Sequence, residues 1–329
     1  MLKQFAKRLA VRSGSLRVIS ALAGKGIAVL MYHSVSEDPA SFRSTLGDIG
    51  HPVRIFEQQM ELLARSFHII SLDEALLYIR GERDVHRRSA VVTFDDGYAD
   101  NYHVAIPLLN KLGIPATFYV TVDCVQQKRL PWPSRIRYAL LKSKKSVWVD
   151  PDGQSWPLRD DVQRGKAFDR ACQYCGRLAG VTQDHFVASL EADLECALEQ
   201  GPSMMTWDEV RASVRQGHII GSHSMTHPNM AHIPIDALQR EMGESKKILD
   251  QELGFPAVHF SYPCPALQPH WNAQTVQVSN ECGYQTAVTT IGGLVRRGDH
   301  PLHLRRIRPS KNVEGLRANL EVTFAGHRA

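Results

Sequence analysis

The stretch VVTFDDGYADNY, Val91–Tyr102, puts two carboxylates, Asp95 and Asp96, side by side at the end of an apolar run and just ahead of a glycine. Adjacent like charges at the edge of a core need a counter-charge, and a divalent cation is the largest one available to a protein site. The stretch HSMTH supplies imidazoles at His223 and His227. Histidines four residues apart face a common point when the chain turns helically after a strand. Two neutral imidazoles, one carboxylate and a water describe a catalytic zinc site, with three protein ligands and one open position. Successive residues at a strand end point in different directions, so one aspartate can reach the metal while its neighbour reaches the water there. Gly97 gives the chain room to turn away sharply. A third apolar run, IAVLMYH, ends in His33.

These side chains act together only if the elements carrying them converge. Short β-rich runs alternate with helical patterns along the chain. IAVLMYH, SAVVTFDD, PATFYVTVD, HIIGSH, AVHFSYP and YQTAVTT read as strands, with LHLRRIRPS following them. Phe56, Met60, Leu63 and Phe67 recur at helical spacing. Ser71 with Glu74, and Thr206 with Glu209, form capping boxes that open helices. NYHVAIPLLNKLG reads as a helix stopped by Gly113, and further helices cover residues 236–254 and the stretch around 271–283. Repeated β–α units imply parallel strands joined by crossover helices. Seven or eight of them predict an α/β fold, a closed or nearly closed (β/α)7-8 barrel with its site at the C-terminal strand ends. His33, Asp95, Asp96, His223 and His227 all fall at such ends.

Cys124 to Met204 breaks the rhythm with helical patches and no clear strand. It reads as a helical insertion, about residues 125–205, on a barrel spanning 26–315. A basic helical segment (1–25) precedes the barrel and a tail (316–329) follows it. There is no internal repeat.

Of 329 residues, 43% are hydrophobic and 22% charged, which suits a sizeable core and argues against disorder. A net charge of +5 is too weak to argue for nucleic acid as a partner. Six cysteines without a dense framework read as reduced thiols in a cytoplasmic protein. Cys172 and Cys175 have redox- or zinc-type spacing but no second pair, so two cysteines one helical turn apart is the simpler account. No run reaches the ~18 apolar residues of a membrane span. Leu2, Phe5, Leu9, Leu16 and Ile19 with Lys3, Lys7, Arg8 and Arg12 describe a helix that either packs on the domain or rests on the inner face of a membrane. Nothing in the sequence sets the oligomeric state.

TFDDGY and HSMTH together resemble the first two motifs of the polysaccharide deacetylases, carbohydrate esterase family 4, also called the NodB-homology domain. The resemblance runs from about Gly26 to Pro309, outside the insertion. It implies a distorted (β/α) barrel that removes acetyl groups from N-acetylated sugars, less often O-acetylated ones. It also implies a divalent metal, zinc first, with Asp95 as general base and Asp96, His223 and His227 as ligands. The third motif departs from the family pattern Phe-Arg-x-Pro-Tyr-Gly and reads FSYPCP. Ser261 stands where an arginine would hold the catalytic aspartate, and Pro265 replaces the glycine. Cys264 stands where a tyrosine N–H would bind the oxyanion, so Tyr262, Pro263 and Cys264 become the oxyanion or substrate wall. The family's late strand ending in the general-acid histidine has no clear match late in the chain. Its pattern appears instead in IAVLMYH, as in the circularly permuted, exopolysaccharide-type subgroup. That makes His33 the acid, with His303 its rival. The acid role calls for a nearby carboxylate or the field of the site to keep His33 protonated near neutral pH.

Carbohydrate is the expected substrate, in a polysaccharide, glycolipid or precursor. Trp132, Tyr138, Arg129, Arg135, Arg137, Lys142, Lys144 and Lys145 either line a groove for an anionic or lipid-linked glycan or form a solvated helix face over a core aromatic. Hydrolysis of another amide, a cyclic imide or an O-acetyl ester is an alternative on the same fold. A non-catalytic sugar-binding relic is an alternative from another class.

Overall fold

The computed structural model describes residues 25–37, 43–86, 88–198 and 202–326. The segment read as a basic N-terminal helix lies, apart from Lys25, outside the described residues. Among those residues the strands are β1 (Ile27–Tyr32), β2 (Val35–Ser36), β3 (His51–Pro52), β4 (His68–Ile69), β5 (Ser89–Phe94), β6 (Ala116–Val120), β7 (Val147–Val149), β8 (Ser155–Pro157), β9 (Ile219–Ser222), β10 (His259–Ser261) and β11 (Thr286–Val288). The main sheet runs β1-β5-β6-β9-β10-β11, with short β4 beside the start of β5, and every pairing in it is parallel. It curls into a half-barrel. Its two edges are joined through the segment 304–307, where Leu304 bridges Val288 and Ile307 bridges Leu30.

Alternation along the strands builds two layers. Ile27 and Val29, Val91, Tyr119, Val288 and Leu304 share one cluster on the concave side. Their neighbours Leu30, Tyr32, Val92, Phe94, Phe118 and Val120 pack outward, in the same cluster as Phe56, Met60 and Leu63 of the helix Val53–Ser66. Continuing the concave rows past the strand ends brings up His33, Asp95 and His223. Gly221 in β9 is set by this interior: a Cβ there would lie 2.6 Å from the Tyr119 ring and 2.8 Å from the His259 carbonyl oxygen.

Both capping boxes form as read, at Ser71–Glu74 and Thr206–Glu209. The helix after Asp95 and Asp96 opens with a π-turn, Asn101–Ala105, before Ile106–Lys111. PATFYVTVD is a strand only to Val120, and Val122–Gln127 is helical.

Two expectations need correction. Residues 316–329 are not a tail up to 324: the helix Val313–Phe324 buries Leu316, Leu320 and Phe324 in the outer core, and Glu321 forms a bidentate ion pair with Arg88 at 2.7 and 3.0 Å. The insertion also contains strands, because β7 and β8 form an antiparallel hairpin around Asp150. Three-residue strands are too short to show an alternation. Its helices Trp132–Lys142, Asp161–Cys175 and Gly180–Asp193 enclose a separate small core, and Cys172 and Cys175 are buried there as free thiols.

Candidate active site

Asp96, His223 and His227 converge, with one ligand atom of each within 4.8 Å of the others. Asp96 Oδ1 lies 3.4 Å from His223 Nε2 and 3.3 Å from His227 Nε2, yet it is buried without a hydrogen-bond partner. Strand alternation alone would point Asp96 away from Asp95. A left-handed φ of 76° swings it back, and Gly97 follows at φ 85°, pressed so close to Val120 that a Cβ would lie 2.9 Å away. The ring of His223 donates from Nδ1 to the Ser261 carbonyl at 2.7 Å, leaving the Nε2 lone pair free to face Asp96. A carboxylate oxygen without a donor, facing an imidazole so oriented, fits a divalent cation as a fourth partner.

Asp95 is held differently. Both its oxygens accept from Arg306, Oδ1 from Nη1 and Oδ2 from Nη2, each at 2.7 Å. Arg306 is itself 1% exposed. Its remaining donors reach the Thr289 carbonyl (2.9 Å), Thr93 Oγ1 (3.3 Å) and Ser261 Oγ (3.1 Å). Burial pushes the Asp95 carboxyl up, but the Arg306 guanidinium and the neighbouring histidines outweigh it and hold the group below the usual carboxylate value. The arginine missing at position 261 is thus supplied from segment 304–307, and Ser261 is a hydrogen-bond partner of its replacement. Nothing in RRIR marks Arg306 out by itself. The signal was the serine in the third motif, which leaves a buried aspartate in need of a cation from elsewhere.

His33 closes β1 with Nε2 4.0 Å from Asp95 Oδ2. Its carbonyl accepts from Asn101 Nδ2 at 2.6 Å, so the π-turn braces it. Burial pushes the His33 imidazole below its ordinary value, and the charges of Asp96 and Asp95 only partly offset this. His303 is half-buried and stacks on Trp271 and on His300, with ring centroids 4.9 and 4.8 Å away.

Of the wall residues, Tyr262 is buried, its hydroxyl bonded to Ser279 and to the Leu302 carbonyl and its N–H donated to Val288. Pro263 has no N–H. Cys264 is half-buried and feels the charges of Arg306 and Asp95. The basic run of the insertion turns largely on itself: Arg129 pairs with Asp123 and Asp184, Arg135 with Glu191 and Lys145 with Glu195, while Arg137 lies over the Phe168 ring. Trp132 is buried, not groove-lining, and its Nε1 donates to the His227 carbonyl at 2.9 Å.

The geometry gathers carboxylates and imidazoles at the C-terminal strand ends of a parallel β/α sheet, where such folds place their sites, and comparison gives the family. Residues 82–287 match the polysaccharide deacetylase family, so the chain belongs to that family and is a carbohydrate deacetylase, a hydrolase of N-acetyl amide bonds. The Bacillus subtilis (strain 168) protein YxkH, whose name places it among the polysaccharide deacetylases, is 21% identical over 290 residues, 88% of this chain and 73% of YxkH. Two solved structures share the fold at 19% identity and a TM-score of 0.60. The Streptococcus pyogenes deacetylase PplD, solved with acetate, covers 89% of this chain and 97% of its own. IcaB from Ammonifex degensii covers 91% and 98%. The family match begins at residue 82, so β1 and His33 lie outside it.

Proposed function

We propose that the chain is a metal-dependent N-deacetylase of the circularly permuted subgroup, with Asp96, His223 and His227 holding the ion and Asp95 as general base. The observation that carries this is the contrast between neighbours: Asp95 is fully engaged by an arginine, whereas Asp96 Oδ1 faces two imidazole nitrogens and accepts no hydrogen bond. A His2Asp set favours zinc. A divalent cation held there supplies Lewis acidity and lowers the pKa of a bound water from about 15.7 to roughly 7.

The chain's own groups do the rest. Asp95, kept ionised by Arg306, accepts the proton of the attacking water. The leaving nitrogen must gain a proton as the amide bond breaks. His33, with Nε2 4.0 Å from Asp95 Oδ2, is the group placed to pass that proton on. The N–H of Cys264 is the wall's donor to the developing oxyanion. Acetate and a free amino sugar leave. An anionic or lipid-linked substrate fits Arg308 and Lys311 better than the insertion cations. Both follow the Ile307 bridge to β1, at the barrel end where His33 lies; burial first, and Arg308 beside it, hold the Lys311 ammonium below its ordinary value, and its Nζ donates to the Gly50 carbonyl at 2.6 Å.

Metal analysis and acetate release from N-acetylated oligosaccharides test this. Purified protein should hold about one zinc-like ion per chain, and alanine at His223 or His227 should abolish both metal and turnover. Full occupancy in the double variant contradicts the site. Acetate from O-acetyl but not N-acetyl sugars points to the esterase alternative, and bound metal without any turnover to the relic.

A further inference from the structure

We propose that Glu241 is a positioning residue for the metal site, setting the turn that aims His227; the inference rests on the metal reading above. The turn from His223 to His227 is unfavourable on its own, since Ser224 and His227 have left-handed φ values of 67° and 64° without being glycine. Each backbone N–H in it has an assigned acceptor. His223 donates to the Val120 carbonyl (2.9 Å), Ser224 to Ser222 Oγ (3.2 Å) and His227 to Ser224 Oγ (2.9 Å). The other two belong to Glu241, whose Oε2 accepts from Met225 N–H at 3.0 Å and Thr226 N–H at 2.9 Å. Oε1 accepts from the Thr226 hydroxyl at 2.5 Å. Glu241 projects from the helix Ile235–Leu253 and is 4% exposed, so water cannot readily replace it. Without it two part-buried donors lose their acceptor, and the turn relaxes toward ordinary backbone angles that no longer bring Nε2 of His227 to Asp96.

Two variants separate contact from charge. In Glu241→Gln the amide oxygen can take both N–H groups and its NH2 can face the Thr226 oxygen, so the contact survives while the charge is lost. Glu241→Asp keeps the charge but is a methylene too short. Metal-stripped proteins would be titrated with zinc against a chromophoric chelator, alongside metal-free melting followed by circular dichroism. The Gln variant should bind zinc nearly as wild type, and the Asp variant should lose on the order of tenfold or more in affinity in protein that still melts cooperatively. An Asp variant with wild-type zinc affinity, whatever its melting temperature, overturns the proposal, as does a Gln variant that loses as much as Asp. Wild-type protein that takes up no zinc overturns the metal reading itself, a result distinct from either.

Discussion

Asp95 and Asp96 share a peptide bond and almost nothing else. Arg306 saturates Asp95, and its five donors are all in use. Removing one partner of a buried pair leaves an uncompensated charge and costs about 3–5 kcal/mol, so Arg306→Met should melt markedly lower. Arg306→Lys keeps a charge but loses the fork, and should retain metal while turnover falls steeply. Because Arg306 Nη2 already sits 3.1 Å from Ser261 Oγ, Ser261→Arg combined with Arg306→Ser moves the guanidinium to the family position and should recover part of the activity; no recovery would show that the strand of origin matters. Asp95→Asn should keep metal and lose turnover, whereas Asp96→Asn should lose metal first, both read by metal content and acetate release. His33→Ala should cut amide hydrolysis by roughly a hundredfold or more and affect an activated acetyl ester much less, since that leaving group needs no proton. Equal losses on both substrates would remove His33 from the protonation step.

At the scale of elements, whatever depends on neighbouring residues was legible. The capping boxes and the continuous apolar runs of IAVLMYH and SAVVTFDD are local patterns, and they hold at the expected positions; the chain from His223 to His227 turns through left-handed angles at Ser224 and His227, not through the helical turn that the spacing suggested. What escaped reading depends on contacts made across the chain. Arg306 finds Asp95 from 211 positions away, Glu241 reaches its turn from the helix Ile235–Leu253, and the apolar residues of the helix Val313–Phe324 find their partners in the helix Val53–Ser66 and in Phe67, far earlier in the chain. That last case is testable. A chain ending at residue 315 loses Leu316, Leu320 and Phe324, all buried. At about 1.5–3 kcal/mol each, the loss rivals the whole stability of a typical domain, about 5–15 kcal/mol. The truncated chain should fail to show a cooperative melt by circular dichroism, and a wild-type melt would restore the tail.

Across the whole molecule, the barrel converges residues from β1, β5, β9, β10 and the segment 304–307 on one end, and the insertion docks there through Trp132 and through Gly180 N–H to Thr226 Oγ1 at 3.2 Å. The turn from His223 to His227 is therefore held both by Glu241 and by the insertion. The proposed site requires a metal ion for the hydrolysis of N-acetyl groups. The most direct test is acetate release from an N-acetylated oligosaccharide by metal-stripped protein as zinc is added. Release should be negligible at first, rise with zinc and break near about one equivalent per chain; full release from the stripped protein, unchanged by zinc, would rule out a metal-dependent site.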